Sequence, residues 1–335
     1  MPLNKKIIFV VGNSRSGTTM LSRVLGNNSK VLQFQEIHFF EWMVEVKKLH
    51  SLLNQDDAVR LANKLMAIQE DGFYQQDDIN KYTLISKKNL SKISKLTPIN
   101  VYYDFLMFYT ENKGKSIPCE QTPKNLYYIN EIIDIFPNAK IINMYRDPRS
   151  ILLSQKNKWK RRFLGENMTI FESIRAWTLY HPITIAKLWK SAINTSQKYS
   201  QEEILSIKFE EFIESPEVYL EKICIFCGID YDLEMLNVPQ IGSSIGKDEP
   251  NKKGIDKNKI STWKNANISN TELYILQTLV KNEMISLGYS IEQIKPNYFY
   301  LVYLYLIFPI KITTAVLLNL NRMKNIIDTL KRRMS

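Results

Sequence analysis

The feature that most constrains this chain is a glycine loop that follows an apolar run. Residues 12–19 read Gly-Asn-Ser-Arg-Ser-Gly-Thr-Thr, directly after the apolar residues 7–11. The two glycines are five positions apart, as in the nucleotide-binding pattern G-x-x-x-x-G-K-[ST], but Thr18 stands in the place of the lysine. The backbone amides of such a loop, with a helix N-terminus behind them, bind an anion. The segment therefore predicts a strand, an anion-binding loop and a helix. Without the lysine, it suits a donor that carries one phosphate at this end.

A second motif combines an arginine with a serine eight residues later. Arg146 follows residues 139–145, which read as a buried strand, and Ser154 lies in the stretch that begins with Pro148. Proline is favoured in the first turn of a helix, so we expect a helix that brings Ser154 close to Arg146. Taken alone, a solvated Arg-Asp turn explains Arg146 equally well; the glycine loop upstream favours an anion site.

Together these motifs resemble sulfotransferases that use 3′-phosphoadenylyl sulfate (PAPS). The glycine loop is similar to the family's 5′-phosphosulfate loop, and Arg146 and Ser154 match the pair that binds the 3′-phosphate. Residues 241–264 resemble the loop that closes over the adenosine. The resemblance, which runs from about residue 7 to residue 287, implies the following donor-binding residues: Arg15, Ser16, Gly17, Thr18, Thr19, Arg146, Ser154, Ser243, Ser244 and Lys253.

Residues 36–42 carry the candidate general base. They read Glu-Ile-His-Phe-Phe-Glu-Trp, similar to a segment of heparan sulfate glucosaminyl 3-O-sulfotransferases, and Glu36 is spaced from the glycine loop like the catalytic glutamate of tyrosylprotein sulfotransferases. The resemblance implies that Glu36 is the base and that His38 supports it. Because Glu36 lies between Phe34 and Phe39, we expect partial desolvation to raise its pKa. A strand-end cap for Glu36 and a polar helix start for His38 are the structural alternatives.

The family's catalytic lysine is replaced in this chain. Residues 119–125 read Cys-Glu-Gln-Thr-Pro-Lys-Asn and resemble the family's Glu-Lys-Thr-Pro segment, with Gln121 in the place of the lysine. Another cation must then stabilise the leaving phosphate oxygen. Arg15 is the first candidate and Lys124 the second. No metal is expected, since the sequence contains no convincing acidic metal site.

Apolar runs near residues 7, 31, 139 and 204 alternate with helical stretches, which predicts an α/β fold with a doubly wound parallel sheet of the P-loop type, flanked by helices. We predict a sulfotransferase domain over residues 1–290, with a helical insertion at about 42–115, and a C-terminal tail over residues 291–335 that forms an apolar helix. Cys224 and Cys227 are expected to pack in the core, because no second cysteine pair exists for zinc.

The formal net charge of +11 fits a polyanionic donor, an anionic acceptor or a membrane surface. Nucleic acid is the least favoured partner, because the lysines are dispersed and no binding module is recognisable. Residues 298–320 are apolar and aromatic but are interrupted by Pro309 and Lys311, and a basic end follows. This favours a helix lying on a membrane over a helix spanning it; packing on the domain or on a partner subunit is an equal alternative. We expect a cytoplasmic protein, with the tail as its membrane contact.

The resemblance implies that the sulfuryl group of PAPS is transferred in line to a hydroxyl or amine of an acceptor. The segment at 36–42 favours a glycan, while a tyrosyl peptide and a lipid headgroup stay open. Two other functions also stay open: a small-molecule kinase that uses Mg-ATP, and a nucleotide-binding homologue without activity.

Overall fold

The computed structural model describes residues 3–72, 78–164, 168–241, 248–264, 266–320 and 326–334. Its centre is a parallel sheet of five strands in the order β2-β3-β1-β4-β5. The strands are β1 (Ile7–Gly12), β2 (Val31–Gln33), β3 (Ile117–Glu120), β4 (Ala139–Tyr145) and β5 (Ile204–Lys208). The predicted parallel α/β fold is confirmed.

The helices and a separate small sheet complete the fold. The helices are α1 (Thr18–Gly26), α2 (Gln55–Asp71), α3 (Thr83–Leu90), α4 (Pro98–Asn112), α5 (Ile129–Ile135), α6 (Pro148–Lys156), α7 (Ile170–Leu179), α8 (Pro182–Ser196), α9 (Phe209–Glu214), α10 (Pro216–Cys227), α11 (Asn270–Leu279), α12 (Lys281–Ser286), α13 (Tyr298–Asn319) and α14 (Ile326–Met334). The small antiparallel sheet pairs β6 (Pro239–Gln240) with β7 (Glu249–Lys253). The predicted insertion at about 42–115 contains α2, α3 and α4.

The central strand β1 is buried on both faces. Ile7, Phe9 and Val11 pack in a core that includes α2 and α4, while Ile8 and Val10 pack in a second core with α1 and α10. Successive side chains of a strand point to opposite faces, so a strand covered on both sides reads as the continuous apolar run seen in the sequence. Cys224 and Cys227 are buried in the second core, as predicted.

Strand β3 was missed by the sequence analysis. Its residues read Ile-Pro-Cys-Glu, and all of them are buried between β1 and β2. Pro118 has no N–H to donate, and proline is rare in central strands, so propensity argues against this element. Burial between two neighbouring strands overrides that propensity.

The segment after β2 leaves the sheet early. The strand ends at Gln33, and a wide helical turn forms at Phe39–Met43. His38 precedes this turn with a φ of 55°, a left-handed conformation that few non-glycine residues adopt. The chain therefore changes direction at His38, between Glu36 and Trp42.

The C-terminal helices contact the domain while leaving much apolar surface exposed. α13 has 22 residues with a mean hydropathy of 2.0 over its most apolar part, of which 6% is buried. By length and composition it is the one helix among the described residues that could cross a membrane. Lys311 donates from Nζ to the Thr178 carbonyl of α7 at 2.9 Å. Arg332 of α14 forms an ion pair with Glu131 at 2.7 Å.

Exposed apolar side chains of α7 and α13 form a surface that we call the apolar face. It consists of Ile170, Phe171, Ile174, Trp177, Phe299, Leu306 and Ile310. Phe299 is 91% exposed and Leu306 is 72% exposed. The two helices are in direct contact, so these side chains belong to adjoining parts of the surface.

Candidate active site

A cleft of about 750 Å³ lies at the carboxyl edge of the sheet. Each strand is followed within three residues by at least one side chain that lines the cleft, among them, in chain order, Arg15, Glu36, Gln121, Arg146 and Phe209. The carboxyl ends of parallel strands meet at one edge, where open α/β sheets bind their ligands. The topology thus gathers residues that are far apart in the sequence.

Glycine is required at positions 12 and 17 because neighbouring atoms leave no room for a side chain. A Cβ atom on Gly12 would lie 2.2 Å from the Met144 carbonyl oxygen, and one on Gly17 would lie 2.5 Å from the Phe209 ring. Both residues also have positive φ, 147° and 97°, which favours glycine. The loop therefore packs tightly against the ends of β4 and β5 before α1 begins at Thr18.

One wall of the cleft, which we call the anion side, carries Arg15, Thr18, Arg146, Ser150 and Ser154. Arg15 donates from Nε to Ser154 Oγ at 2.9 Å, so the glycine loop and α6 are joined across the cleft. The Arg146 guanidinium lies 4.0 Å above the centre of the Phe209 ring. The two predicted motifs thus share one site.

Buried donors on the anion side fit a phosphate ligand. Arg146 Nε and Ser150 Oγ are buried and have no hydrogen-bond partner within the described part of the chain. Buried polar groups are normally paired, so unpaired donors in a cleft indicate a ligand position. Ser150 was not singled out from the sequence, although it lies one helical turn before Ser154 and so shares its face of α6. These residues fit the phosphates of PAPS.

The remaining predicted donor-binding residues differ in placement. Ser16 is fully buried beneath the loop, and Thr19 lines the cleft. Ser243 and Ser244 lie outside the described residues. Lys253 is exposed at the end of β7, next to Gly254, which lines the cleft.

The opposite wall, which we call the Glu36 side, carries Glu36, His38, Trp42, Gln121 and Lys158. His38 Nε2 lies 3.4 Å from Glu36 Oε2, and Gln121 donates from Nε2 to Glu36 Oε1 at 3.2 Å. The His38 ring stacks on Trp42 with 3.7 Å between ring centres. The Glu36 carboxyl group, whose side chain is 41% exposed, is therefore held from two sides and faces the cleft.

The expected rise of the Glu36 pKa was wrong. Burial does raise the pKa of this carboxyl, but the hydrogen bond and charge of His38, the Gln121 amide and the Lys158 charge outweigh it and hold the pKa below its usual value. Burial also lowers the pKa of His38 to about 4, against the attraction of Glu36. At neutral pH the pair is therefore a carboxylate that accepts a hydrogen bond from a neutral imidazole.

Two lysines lie near the Glu36 side and are engaged differently. Lys124, the second candidate for the missing cation, forms an ion pair with Glu41 at 3.0 Å and lies 5.0 Å above the Trp42 ring. Lys158 lines the cleft. Burial and the charge of Arg15 lower the pKa of Lys158 to about 8. Lys158 was not singled out from the sequence, although it lies one turn beyond Ser154.

The described residues contain no group of three or more His, Cys, Asp or Glu side chains arranged to hold a metal ion.

Among the solved structures that resemble this fold are two sulfotransferase domains. The sulfotransferase domain from the curacin biosynthetic pathway is 19% identical, covers 86% of this chain and 99% of its own, and has a TM-score of 0.52. The sulfotransferase domain of the Synechococcus PCC 7002 olefin synthase is also 19% identical, covers 86% of this chain and 96% of its own, and has a TM-score of 0.51. At these identities the likeness concerns the fold.

Sequence comparisons extend the likeness. The chain is 22% identical over 270 residues to an uncharacterized protein of Aquifex aeolicus, matching 78% of this chain and 31% of that protein. It is 21% identical over 234 residues to the protein-tyrosine sulfotransferase of Drosophila melanogaster, matching 69% of this chain and 40% of that protein. The chain thus spans less than half the length of these curated relatives. A profile of the sulfotransferase family matches residues 8–233, about two thirds of the chain, and the chain therefore belongs to the sulfotransferase family.

Proposed function

We propose that this protein transfers the sulfuryl group of PAPS to a hydroxyl group of a glycan. The observation that carries the proposal is the joining of the two anion-binding motifs in one cleft, where Arg15 of the glycine loop donates to Ser154 of α6. A donor with phosphates at both its 5′ and 3′ positions needs two such motifs, whereas ATP carries phosphates at one end only. Membership of the sulfotransferase family supports the same donor.

The anion side binds and orients the donor in this proposal. PAPS, when bound, supplies an activated sulfuryl group. Arg146, Ser150 and Ser154 bind its 3′-phosphate, and Arg15 with the hydroxyl groups of Thr18 and Thr19 binds the phosphate at the 5′ end. Ser16 and Gly17 shape the loop, while Ser243, Ser244 and Lys253 stay assigned to the segment that closes over the adenosine.

Glu36 accepts the proton of the acceptor hydroxyl. Its lowered pKa keeps it ionised at neutral pH, so it is ready to accept a proton without first losing one. His38 acts as a positioning residue, because its neutral ring donates to Glu36 while it is stacked on Trp42. A base of this kind contributes about 10²- to 10⁴-fold in rate.

A glycan acceptor is supported by the chemistry of the Glu36 side. Trp42 lines the cleft with an aromatic side chain, a residue type that sugars contact, and Lys158 supplies positive charge for an anionic sugar. The test is release of adenosine 3′,5′-bisphosphate (PAP) from PAPS with uronic-acid polysaccharides, a tyrosyl peptide and lipid vesicles as separate acceptors. Turnover with the polysaccharides alone is expected. Turnover only with the peptide or only with the vesicles would contradict the glycan assignment.

We also propose that the apolar face lies on a lipid surface. Core helices are mostly buried and signal sequences lie near an N-terminus, whereas α13 is exposed and C-terminal. Its tyrosines and Trp177 are side chains that prefer the membrane interface, and the excess positive charge of the chain favours anionic lipid. The domain, with tail 291–335, would then be a peripheral cytoplasmic enzyme.

Sedimentation with vesicles tests this contact. The protein should sediment with vesicles of phosphatidylcholine and phosphatidylglycerol, and Phe171→Ser combined with Leu306→Ser should abolish it. Ile225→Ser is the matched control, because Ile225 is 81% exposed on a different helix. A dimer in light scattering that the same two substitutions dissociate, without vesicle binding, would assign the face to a second copy of the chain instead.

A further inference from the structure

The Glu36 side lacks a charge at the position where the family has a lysine. Gln121 occupies that position, and its amide donates to Glu36 Oε1 at 3.2 Å and to Thr18 Oγ1 at 3.3 Å. A neutral amide links the base to the glycine loop but offers no positive charge. Negative charge that develops on a leaving phosphate therefore needs a cation from elsewhere.

The two cations expected from the sequence are already engaged. Arg15 donates from Nε to Ser154, which ties it to the 3′-phosphate motif. Lys124 is paired with the buried carboxylate of Glu41, whose side chain is 2% exposed. Glu41 also forms an ion pair with Arg333, so Lys124 shares this buried carboxylate with a second cation. Arg15 is thus shared between the two phosphate-binding motifs, and Lys124 would have to leave Glu41 to reach the leaving group.

Lys158 is placed differently. It begins the helical segment Lys158–Phe163, one turn beyond Ser154, and it lines the cleft together with Arg15, Glu36 and Gln121. Charged groups from four other parts of the chain act on the Lys158 ammonium: Arg15 of the loop, Glu36 after β2, Lys124 after β3 and Arg175 of α7.

We propose that Lys158 is the cation that stabilises the leaving phosphate in sulfuryl transfer, in place of the lysine that Gln121 replaces. The inference rests on the proposed function. In the step, the bond between sulfur and the bridging oxygen of the 5′-phosphate breaks, and its electron pair goes to that oxygen. A new bond joins sulfur to the acceptor oxygen, whose proton passes to Glu36. Lys158 keeps its proton and neutralises the charge that develops on the departing phosphate.

The role of Lys158 can be tested by donor binding alone, without an acceptor. Burial and three cations lower its pKa to about 8, so about half of the side chains are neutral at that pH. A phosphate bound against the ammonium favours the charged form. Binding of PAP at pH 8 should therefore draw protons from the buffer, because the bound anion raises the pKa of Lys158.

Calorimetric titration with PAP in two buffers of different ionisation enthalpy measures this uptake. The native protein should take up a fraction of a proton at pH 8. Lys158→Met should lose that uptake, and Lys158→Arg should bind PAP without it because arginine stays charged. Lys160→Met is the matched control, since Lys160 is exposed on the same helical segment, and it should behave like the native protein.

Turnover provides the second measurement. Lys158→Met should lower kcat roughly 100-fold, the usual cost of removing one group that stabilises transition-state charge. The native protein should lose activity above pH 8, where Lys158 loses its proton. Lys158→Arg should recover most of the kcat and should not show this loss. Gln121→Lys in the Lys158→Met background should restore part of kcat, because it returns the charge to the family position.

The outcomes separate the two proposals. If the native protein does not bind PAP, the proposed function fails and this inference fails with it. If PAP binds but Lys158→Met takes up the same fraction of a proton and keeps its kcat, the Lys158 role alone is overturned. A loss of kcat that Lys158→Arg does not recover, with unchanged proton uptake, would make Lys158 structural and would also overturn it.

Discussion

On the anion side of the cleft the ligand-binding groups come from two short segments, residues 12–19 and 146–154, whereas on the Glu36 side they come from three separate stretches of chain. The anion side has the same chemical task in any enzyme that uses this donor, and a loop and a helix turn suffice for it. The Glu36 side must position a base, an amide and a cation around one reacting atom. Binding of a fixed ligand is thus visible in the sequence as short contiguous motifs, whereas the groups that act on the reacting atom come from separate segments that the fold brings together.

The largest effect is expected at Glu36, where a substitution should lower turnover without weakening donor binding. This result would separate the two sides of the cleft. Glu36→Gln should lower kcat by about 10²- to 10⁴-fold, because the amide cannot accept the proton of the acceptor. Its affinity for PAP should stay unchanged. The measurement is steady-state turnover of PAPS alongside calorimetric titration with PAP, and Glu202→Gln, an exposed site, serves as the control. An unchanged kcat would remove Glu36 from the mechanism.

Arg146→Ala should give the reverse pattern. The affinity for PAP should fall by roughly 10- to 100-fold, since hydrogen bonds to charged groups contribute about 1.5–3 kcal/mol. Arg60→Ala, at an exposed site on α2, should leave the affinity unchanged. Equal affinities of Arg146→Ala and the native protein would mean that the phosphate binds elsewhere.

The pH dependence of activity sharpens the account of the Glu36 side. Because the pKa of Glu36 is held below its usual 4.5, kcat/KM should stay level as the pH falls to about that value and decline only below it. His38→Ala removes the largest influence that lowers this pKa, so its acid limb should move to higher pH. Profiles of kcat/KM against pH from pH 4 to pH 7 test this. If the native protein and His38→Ala lose activity at the same pH, His38 does not position Glu36.

An effect on stability and not on turnover is expected at Glu120, a carboxyl buried beneath the Glu36 side. It accepts hydrogen bonds from Thr122 Oγ1 at 2.5 Å and from Asn125 Nδ2 at 2.6 Å, yet burial raises its pKa to about 8. The folded state therefore holds a proton that the unfolded state, with a pKa of 4.5, releases. This contribution to stability is fully present below pH 4.5 and is lost as the pH rises through 8.

Thermal unfolding measured from pH 4.5 to pH 9 checks the Glu120 prediction. The midpoint of the native protein should decline over this range, and Glu120→Gln should decline less because its side chain does not titrate. Parallel declines in the two proteins would assign the pH dependence to other groups.

The sequence predicted the parts of the molecule whose structure is determined within one short segment. The glycine loop, the helix begun by Pro148 and the run that forms β1 all combine local propensity with a local pattern. β3 was not predicted because Pro118 disfavours a strand, and the neighbouring strands that stabilise β3 are distant in the sequence. Lys158 carried no motif, since its role depends on the Arg15 and Glu36 side chains that the sheet places beside it.

The direction of the Glu36 pKa was predicted wrongly because the sequence argument counted burial alone. The apolar sequence neighbours Phe34 and Phe39 indicated desolvation, which does act on the carboxyl. The largest opposing influence comes from His38, two residues further along, and smaller ones come from Gln121 and Lys158, 85 and 122 residues further along the chain. The positive φ of His38 and the arrangement of the strands bring these partners to the carboxyl, and the sequence shows neither.

The most direct test of the whole account is calorimetric titration of the protein with PAP and, separately, with Mg-ATP. The account predicts tight binding of PAP and much weaker binding of Mg-ATP, because the anion side provides for a 3′-phosphate and lacks the P-loop lysine. Preference for Mg-ATP would contradict it and would indicate a kinase built on the same sheet.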